Sequence, residues 1–509
     1  MDRSTVRLLG TLTALLLVSH ATFARAEVPF NWSLRVQNDT RFDVDRIWTL
    51  VPDDDGVVSK VVDSGDPQYS RNETAIRFKV QATPHPRVRL EGDIELVWLN
   101  LSDRQLSLPE LTTRGSMDPW RIECYAAFVD IHDLLPGLDL RIGRQRLMWG
   151  SADLFNPTDN LNPDDLEDQL LFGENIANEM VRLDYTIVPE REGWLDELSF
   201  TLVWVPIFRP AQLPRSSILR IYDDDAPVPF VEDDLRESST RRRAVVEEYM
   251  YDPTVTVEQP ELSLANSQIG FRALARMGST DFTLSYFRGY EDIPWISRIA
   301  TRFAEDELHI LTDVTMRYPR MHVLGFDING QASFLRDMGF WIEGAVFFPY
   351  GLPLTFATDL PPLSTGETVG TVVDDRPFLK LTVGFDHSIG EHMFVDVQYV
   401  HGFIDELGAG NMNNYLVAGF DLKLWNERIL IRLFTILQLD WIDDLFRGES
   451  SDSWEDQISV SIRPLIRINP WGSVLIDLAG IFPYGGNNSY FGEPGAGSTT
   501  IALRVSASL

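Results

Sequence analysis

The sequence predicts an all-β fold, an antiparallel transmembrane β-barrel of about eighteen strands with short periplasmic turns and long extracellular loops. From residue 32 onward, short segments alternate apolar and polar residues, and no stretch of helical periodicity competes with them. The connections also alternate, long after every odd strand and short after every even one. Outer-membrane barrels have this pattern because their chain enters and leaves on the periplasmic side.

Eighteen segments carry the alternating pattern. In hydrocarbon every backbone amide must be paired, so a sheet that crosses a membrane has to close on itself. In the last segment we expect Ile501, Leu503 and Val505 to face lipid, opposite Ala502 and Arg504. The strands are expected near residues 32–50, 73–83, 88–101, 119–131, 138–149, 179–188, 197–208, 266–277, 281–290, 321–335, 339–350, 376–388, 392–403, 413–424, 428–441, 456–468, 473–484 and 498–509.

Tryptophans near the predicted strand ends indicate an interfacial belt, since tryptophan is enriched where a membrane meets water. The residues of this predicted belt are Trp98, Trp120, Trp149, Trp204, Trp341, Trp425 and Trp471.

The first residues have the pattern of a signal peptide. Arg3 and Arg7 precede an apolar run at 8–18, and a small-x-small cleavage pattern ends at Ala26. We expect residues 1–26 to be removed and residues 27–509 to form one barrel domain. The single cysteine, Cys124, excludes an internal disulfide, which suits the envelope of a Gram-negative bacterium. The predicted location is the bacterial outer membrane.

The charge of the chain restricts its partners. A formal net charge of −32 disfavours nucleic acid, because phosphate binding requires a basic surface. The expected partners are outer-membrane lipid and lipopolysaccharide, the barrel-assembly machinery and a transported solute. The longest connection, loop 209–265, carries blocks of acidic and basic residues and is expected to be a solvated, acidic external loop.

If the apolar register faces lipid, the opposite register lines a hydrated interior of mixed charge. A barrel of this strand number is wide enough for an aqueous channel. The candidate pore-lining or loop-anchoring residues are Arg77, Lys79, Glu91, Asp93, Arg141, Gln145, Arg432, Arg463 and Asp477.

One strand leads directly into a turn-rich acidic loop. Residues 138–142 alternate like a strand, whereas Pro157 and Pro163 each remove an amide donor. We expect loop 150–178 to lie over or inside the barrel and to narrow the pore, with Arg141 and Gln145 anchoring it by hydrogen bonds. The alternative is that these residues hold the loop without contacting any solute.

A motif in this stretch resembles a proteobacterial outer-membrane barrel family of largely unknown function. The family pattern Gly-Lys/Arg-Gln-x-x-x-Trp-Gly, followed by Asn-Pro-x-Asp, is similar to residues 138–208 of this chain, and alginate-export barrels resemble the chain more loosely. The matching residues are Gly143, Arg144, Gln145, Trp149, Gly150, Asn162, Pro163 and Asp165. Gly143 and Gly150 allow close approach or unusual backbone angles. Arg144 falls on the apolar register, which predicts a bulge or a position at the headgroup edge.

No residues suggest catalysis. An outer-membrane hydrolase would need a serine beside a histidine base, and no histidine falls in mid-lumen beside a serine. We expect no enzyme activity, no cofactor and no metal. The sequence therefore predicts a porin or export channel for a polar or amphipathic solute. A non-conducting structural or assembly barrel that binds envelope partners is the alternative.

Overall fold

The computed structural model describes residues 28–45, 47–52, 58–63, 68–101, 120–166, 174–189, 193–212, 250–304, 309–333, 336–361, 364–439, 459–485, 490–491 and 499–509. The predicted signal peptide lies outside these residues, as do the charge blocks of loop 209–265.

Within these ranges the chain is mostly β-structure, with a 3₁₀ turn at Leu264–Asn266. The strands are β1 (Phe30–Asp45), β2 (Ile47–Pro52), β3 (Val58–Asp63), β4 (Gln68–His85), β5 (Val88–Leu101), β6 (Trp120–Leu135), β7 (Leu138–Gln145), β8 (Asp164–Asp165), β9 (Glu174–Asn175), β10 (Asn178–Ile187), β11 (Glu197–Val205), β12 (Met250–Glu258), β13 (Gln268–Met277), β14 (Thr280–Tyr290), β15 (Trp295–Phe303), β16 (His309–Arg317), β17 (Arg320–Ala332), β18 (Met338–Pro349), β19 (Leu352–Leu360), β20 (Ser364–Val373), β21 (Phe378–Ile389), β22 (Met393–His401), β23 (Asn414–Leu424), β24 (Ile429–Gln438), β25 (Ser459–Ile468), β26 (Val474–Gly485) and β27 (Thr499–Ser508).

Eighteen of these strands form one closed antiparallel barrel, which confirms the predicted fold. They are β1, β4–β7, β10, β11, β13, β14, β17, β18 and β21–β27. Each barrel strand pairs with the next one along the chain, and β27 pairs with β1, so that Arg35 lies opposite Ser508. All eighteen predicted segments correspond to barrel strands. The bounds differ by up to five residues: β1 ends at Asp45 rather than near residue 50, β4 begins at Gln68 rather than near residue 73, and β7 ends at Gln145 rather than near residue 149.

The two faces of the wall differ as the alternation predicts. On β27, Leu503 and Val505 are exposed on the outside, whereas Ala502 and Ser506 are buried on the inside. Apolar outward side chains suit a wall surrounded by lipid. Part of the predicted aromatic belt is wrong, because Trp149 and Trp341 are buried inside the barrel. The other five tryptophans of that set are exposed.

Three long loops build a second sheet, which the sequence analysis did not predict. It has the order β12-β16-β15-β19-β20, with β12–β16 and β15–β19 parallel and the other two pairs antiparallel. These strands continue β13, β17, β14, β18 and β21 of the barrel, so the β15–β16 hairpin is turned over relative to the wall below it. That reversal explains the two parallel pairs, since it places strands of the same direction side by side.

No helix in the described part of the chain is long and apolar enough to cross a membrane.

Candidate functional site

The connection after β7 turns into the barrel. We call residues 146–166 the lumen loop. Asn162 holds both ends of its path: its Oδ1 accepts from the amide of Leu147 at 2.8 Å, and its Nδ2 donates to the carbonyls of Ile176 at 2.8 Å and Gln145 at 3.3 Å. Asn162 is 4% exposed. One buried side chain thus joins the end of β7 to the segment that leads into β10.

Glu343 on β18 binds the lumen loop from the other side of the interior. Its Oε2 accepts from the amides of Ser151 at 3.0 Å and Ala152 at 3.2 Å. Its Oε1 accepts from the amide of Thr158 at 3.0 Å and from the Thr158 hydroxyl at 2.7 Å. Glu343 is fully buried, and a buried carboxylate is tolerated only when its oxygens are satisfied. The carboxylate therefore binds the loop by accepting hydrogen bonds from its backbone amides.

Two glycines make this close packing possible. Gly150 has φ +93°, and a Cβ atom there would overlap both carboxylate oxygens of Glu343. Gly143 has φ +131°, and a Cβ atom there would overlap the carbonyl oxygen of Ala127 on β6. Both positions are in the left-handed region, where glycine is favoured. Both glycines thus adopt the unusual backbone angles predicted for them, and at Gly150 the missing side chain leaves room for the Glu343 carboxylate.

The tip of the lumen loop reaches further, to β21 and β22. The hydroxyl of Thr382 donates to the carbonyl of Phe155 at 2.9 Å, and Gln398 Nε2 donates to the carbonyl of Asp153 at 2.6 Å. The ring of Phe155 packs on Phe403, with centroids 4.7 Å apart. The loop therefore covers the wall from β7 to β22.

An apolar cluster fills the space beneath the loop. Trp149 is 1% exposed and packs with Leu161 against Gly270 of β13, where a Cβ atom would lie 2.8 Å and 2.9 Å from the two side chains. Met180, Val203 and other inward residues join this cluster. Truncating such a buried side chain typically costs about 3–5 kcal/mol. The loop is consequently held by packing as well as by hydrogen bonds.

Four carboxyl groups meet in a cavity of about 90 Å³ at the long-loop end: Asp159, Asp164, Glu291 and Asp292. The amide of Asp164 donates to Asp292 Oδ2 at 2.7 Å. Burial raises the pKa of Asp159 and Asp164 well above the usual range. Repulsion from Glu343 and Asp292 adds to this effect at Asp159, and repulsion from Asp292 adds to it at Asp164. Burial also raises the pKa of Glu291 to about 8 and that of Asp292 to about 6. Protonation of this cluster therefore changes at moderate pH.

The wall opposite the loop carries ion pairs. Most of the predicted lumen residues lie here. Arg77 binds Asp93 at 2.7 Å, and Lys79 binds Glu91 at 3.0 Å. Arg432 binds Asp421 at 2.6 Å, and Arg467 binds Asp477 at 2.7 Å. Arg463 Nε donates to the hydroxyl of Ser461 at 3.2 Å.

The predicted side-chain hydrogen bonds from Arg141 and Gln145 to the loop are not found; Gln145 contacts the loop only through its backbone carbonyl, which accepts from Asn162 Nδ2 at 3.3 Å. Arg141 Nη2 donates to Asp130 at 2.7 Å on the neighbouring strand, and both residues line a polar cavity of about 320 Å³ toward the short-turn end. Gln145 Nε2 donates to the carbonyls of Gly143 and Met180, which belong to the barrel wall. Each side chain reaches a nearer partner on its own sheet, so the loop is anchored by Asn162 and Glu343 instead.

Arg144 lies on the outward register as predicted from the alternation. Its Nη1 binds Glu179 at 3.1 Å, its Nε donates to the carbonyl of Cys124 at 2.6 Å, and Glu179 also binds Arg209 at 2.8 Å. The pairing of β7 with its neighbours shows no bulge at Arg144. Ion pairing on the outer face, rather than a bulge in β7, accommodates this charge.

The other motif residues continue the loop. The carbonyl of Pro163 accepts from the amide of Ile176 at 2.7 Å, and Asp165 lies in the two-residue strand β8, which pairs with β9.

The sequence did not predict that Glu343, Thr382 and Gln398 receive the loop. One signal was present, since Glu343 is an acidic residue in mid-strand on the register that faces inward. In the described part of the chain, no group of three or more His, Cys, Asp or Glu side chains is arranged to hold a metal ion.

The closed sheet, its apolar outer face and its polar interior define the class: a transmembrane β-barrel. No family model and no curated protein matches the chain, so the family resemblance of the Gly143–Asp165 motif stays a prediction.

Solved barrels are similar in fold at low identity. The OprB structure of Pseudomonas putida has 10% identity and a TM-score of 0.36, covering 94% of each chain. The outer membrane channel DcaP of Acinetobacter baumannii has 10% identity and a TM-score of 0.37, covering 96% of this chain and 99% of that one. Wzi of Escherichia coli, a carbohydrate-binding barrel involved in group 1 capsule assembly, has 8% identity and a TM-score of 0.44, covering 93% of this chain and 83% of that one.

Proposed function

We propose that the protein is an outer-membrane porin or export channel that passes a polar or amphipathic solute through a hydrated lumen narrowed by the lumen loop. The observation that supports this proposal is that side-chain exposure differs between the two sides of the interior. On the side covered by the loop, Glu343 and Thr382 are fully buried. On the opposite side, the side chains of Arg432 and Arg467 keep 49% and 40% of their surface exposed. Solvent therefore has access along the ion-paired wall.

The proposed orientation follows from the loops. Short turns would face the periplasm and long loops the outside, with the bacterial barrel-assembly machinery inserting the chain and lipopolysaccharide surrounding the long-loop end. The apolar outward side chains, such as Leu324 and Leu478, suit the lipid core.

We propose passage rather than catalysis. His322 is not placed beside a serine nucleophile. Its two ring nitrogens contact the hydroxyls of Tyr286 and Tyr350, each at 2.7 Å. A histidine base for acyl transfer would need a nucleophile at one of those positions. Histidine on the outer face fits packing near a membrane boundary.

The test is single-channel conductance of the refolded protein in planar bilayers. The informative variant replaces residues 152–160 with a Gly-Ser segment of the same length, which removes the side chains of the tip and the Thr158 contact to Glu343. The control replaces residues 360–365, where the chain passes from β19 to β20, with a Gly-Ser segment of the same length. We expect a small conductance in the wild type and the control, and a larger one in the lumen-loop variant.

Absence of conductance in all three proteins, each verified as folded by its heat-modifiable gel mobility, would contradict the channel. It would favour the alternative, a sealed structural or assembly barrel that binds envelope partners.

A further inference from the structure

Four arginines of the lumen share one geometry. Each binds an aspartate on the adjacent strand through Nε and Nη2, so the same edge of the guanidinium is used every time. We call them the arginine wall: Arg77 on β4 with Asp93, Arg432 on β24 with Asp421, Arg467 on β25 with Asp477, and Arg504 on β27 with Asp39. Because β24 to β27, β1 and β4 are consecutive around the barrel, the four pairs line one continuous side of it.

Burial within each pair is unequal in the same direction. The side chains of the four aspartates are only 4–9% exposed, whereas those of the arginines are 17–49% exposed. The carboxylates therefore lie against the wall and the guanidinium groups lie above them. Each pair has no net charge, yet the group that a solute meets is the cation.

Arg35 on β1 adds a further positive charge to the side of the lumen that carries the arginine wall. It lies directly opposite Arg77 in the β1–β4 register, and its Nη2 donates to the amide oxygen of Gln37 at 2.6 Å. Within the described residues, no carboxylate lies in ion-pair contact with Arg35, and Glu95 is the carboxylate within its electrostatic reach. Charges of one sign beside a low-dielectric wall focus the field in the adjoining water and raise the local concentration of counter-ions.

Carboxylates on the loop side of the lumen would repel anions and so oppose the effect of the arginines. Asp396 is 5% exposed, so solvent reaches little of it. Asp153, on the lumen loop, is the accessible carboxylate within the electrostatic reach of Arg432. Asp386, which is half-buried, is a second carboxylate on this side and lies within electrostatic reach of both Asp153 and Asp396. Arg35 and the four arginines of the arginine wall outnumber Asp153 and Asp386, although the whole chain is strongly acidic.

We infer that the channel selects anionic solutes, which travel along the arginine wall. This inference rests on the proposed channel function and specifies its class of solute. Guanidinium groups held by buried aspartates are preorganised, and their remaining donors suit carboxylate or phosphate oxygens.

The first arm of the test uses the wild-type protein. Reversal potentials in a KCl gradient should show that chloride permeates better than potassium. Citrate and inorganic phosphate, added separately, should reduce the KCl current, and the stronger blocker identifies the preferred anionic group. Block by spermidine but by neither anion would overturn the inference.

The second arm removes two pairs without altering net charge. The variant Arg432→Gln, Asp421→Asn, Arg467→Gln, Asp477→Asn leaves no buried carboxylate without its partner. The control Arg276→Gln, Asp281→Asn removes an ion pair of 2.9 Å near the short turns. We expect the chloride-to-potassium permeability ratio to fall about twofold or more in the first variant only.

Two outcomes would overturn the anion assignment alone: a wild-type channel that prefers potassium, or a lumen variant that keeps the wild-type ratio. A protein that forms no channel, with or without the lumen-loop replacement, would overturn the proposed function and this inference together.

Discussion

Gly150 and Glu343 are in direct contact, although 193 positions separate them in the chain, and a Cβ atom at position 150 would overlap both carboxylate oxygens. The Glu343 carboxylate occupies the space that a side chain would fill and accepts the following amides, Ser151 at 3.0 Å and Ala152 at 3.2 Å. This contact decides where the lumen loop lies, and several measurable effects should depend on it.

Replacing Glu343 with glutamine should loosen the loop. Glutamine has the same shape, but one of its two polar atoms is an NH₂ group, which cannot accept hydrogen bonds. The loop donors that bind that oxygen of Glu343 would lose their acceptor, and each unsatisfied buried donor costs about 1–3 kcal/mol. We expect a larger single-channel conductance and faster protease cleavage within residues 150–166. Glu197→Gln, at the short-turn end, is the control and should behave like the wild type. Equal cleavage of both variants would contradict the anchoring role.

The variant Gly150→Ala should displace the loop by a different route. Alanine at φ +93° is strained by about 1–3 kcal/mol, and its Cβ would force the Glu343 carboxylate away. We expect a lower thermal unfolding temperature and a raised conductance. Gly410→Ala, in another long loop with open space around it, is the matched control. An unaltered Gly150→Ala protein would show that the carboxylate contact is dispensable.

Asn162→Ala should release the loop more than a change at Arg141. The asparagine makes three hydrogen bonds to backbone groups, and its loss leaves buried partners unsatisfied, at about 1–3 kcal/mol for each group. Arg141→Ala removes an ion pair within the barrel wall and should leave loop cleavage at the wild-type rate. Limited proteolysis followed by mass spectrometry distinguishes the two. Greater cleavage in Arg141→Ala would restore the anchoring role that the structure removes.

Conductance should rise with pH between about 5 and 9. Burial raises the pKa of Asp292 to about 6 and that of Glu291 to about 8. Both groups are protonated below their unfolded pKa values of about 4, so the stability of the cluster is fully present there. It is lost as pH rises through 6 and 8, because the ionised groups are desolvated and repel one another.

Conductance should depend less on pH in the double variant Glu291→Gln, Asp292→Asn, because its neutral isosteres do not ionise. A wild-type conductance that falls as pH rises would show that this cluster does not hold the loop.

Much of the architecture followed from local pattern. The number of barrel strands, their order and their lipid-facing residues follow from period-two alternation and turn positions, both of which are properties of neighbouring residues. For the same reason the sequence indicated that residues 150–166 leave the wall, since Pro157 and Pro163 cannot continue a strand.

Other features could not be read locally. The five-stranded loop sheet joins β12, β15, β16, β19 and β20, whose pairing depends on which barrel strands carry them. The inward burial of Trp149 was missed because a tryptophan at a strand end has the same local signature on either face of the wall.

The sequence by itself thus determined the barrel, because a closed sheet in lipid leaves few choices once the alternation is known. Only the tertiary structure decided the interior. Glu343 receives the lumen loop because barrel closure brings β18 to face the end of β7, and the arginines expose their charge because their aspartates lie deeper in the wall. The first is a relation between strands that are far apart in the chain. The second depends on how deep each partner lies in the wall, which alternation does not record even where the paired strands are consecutive.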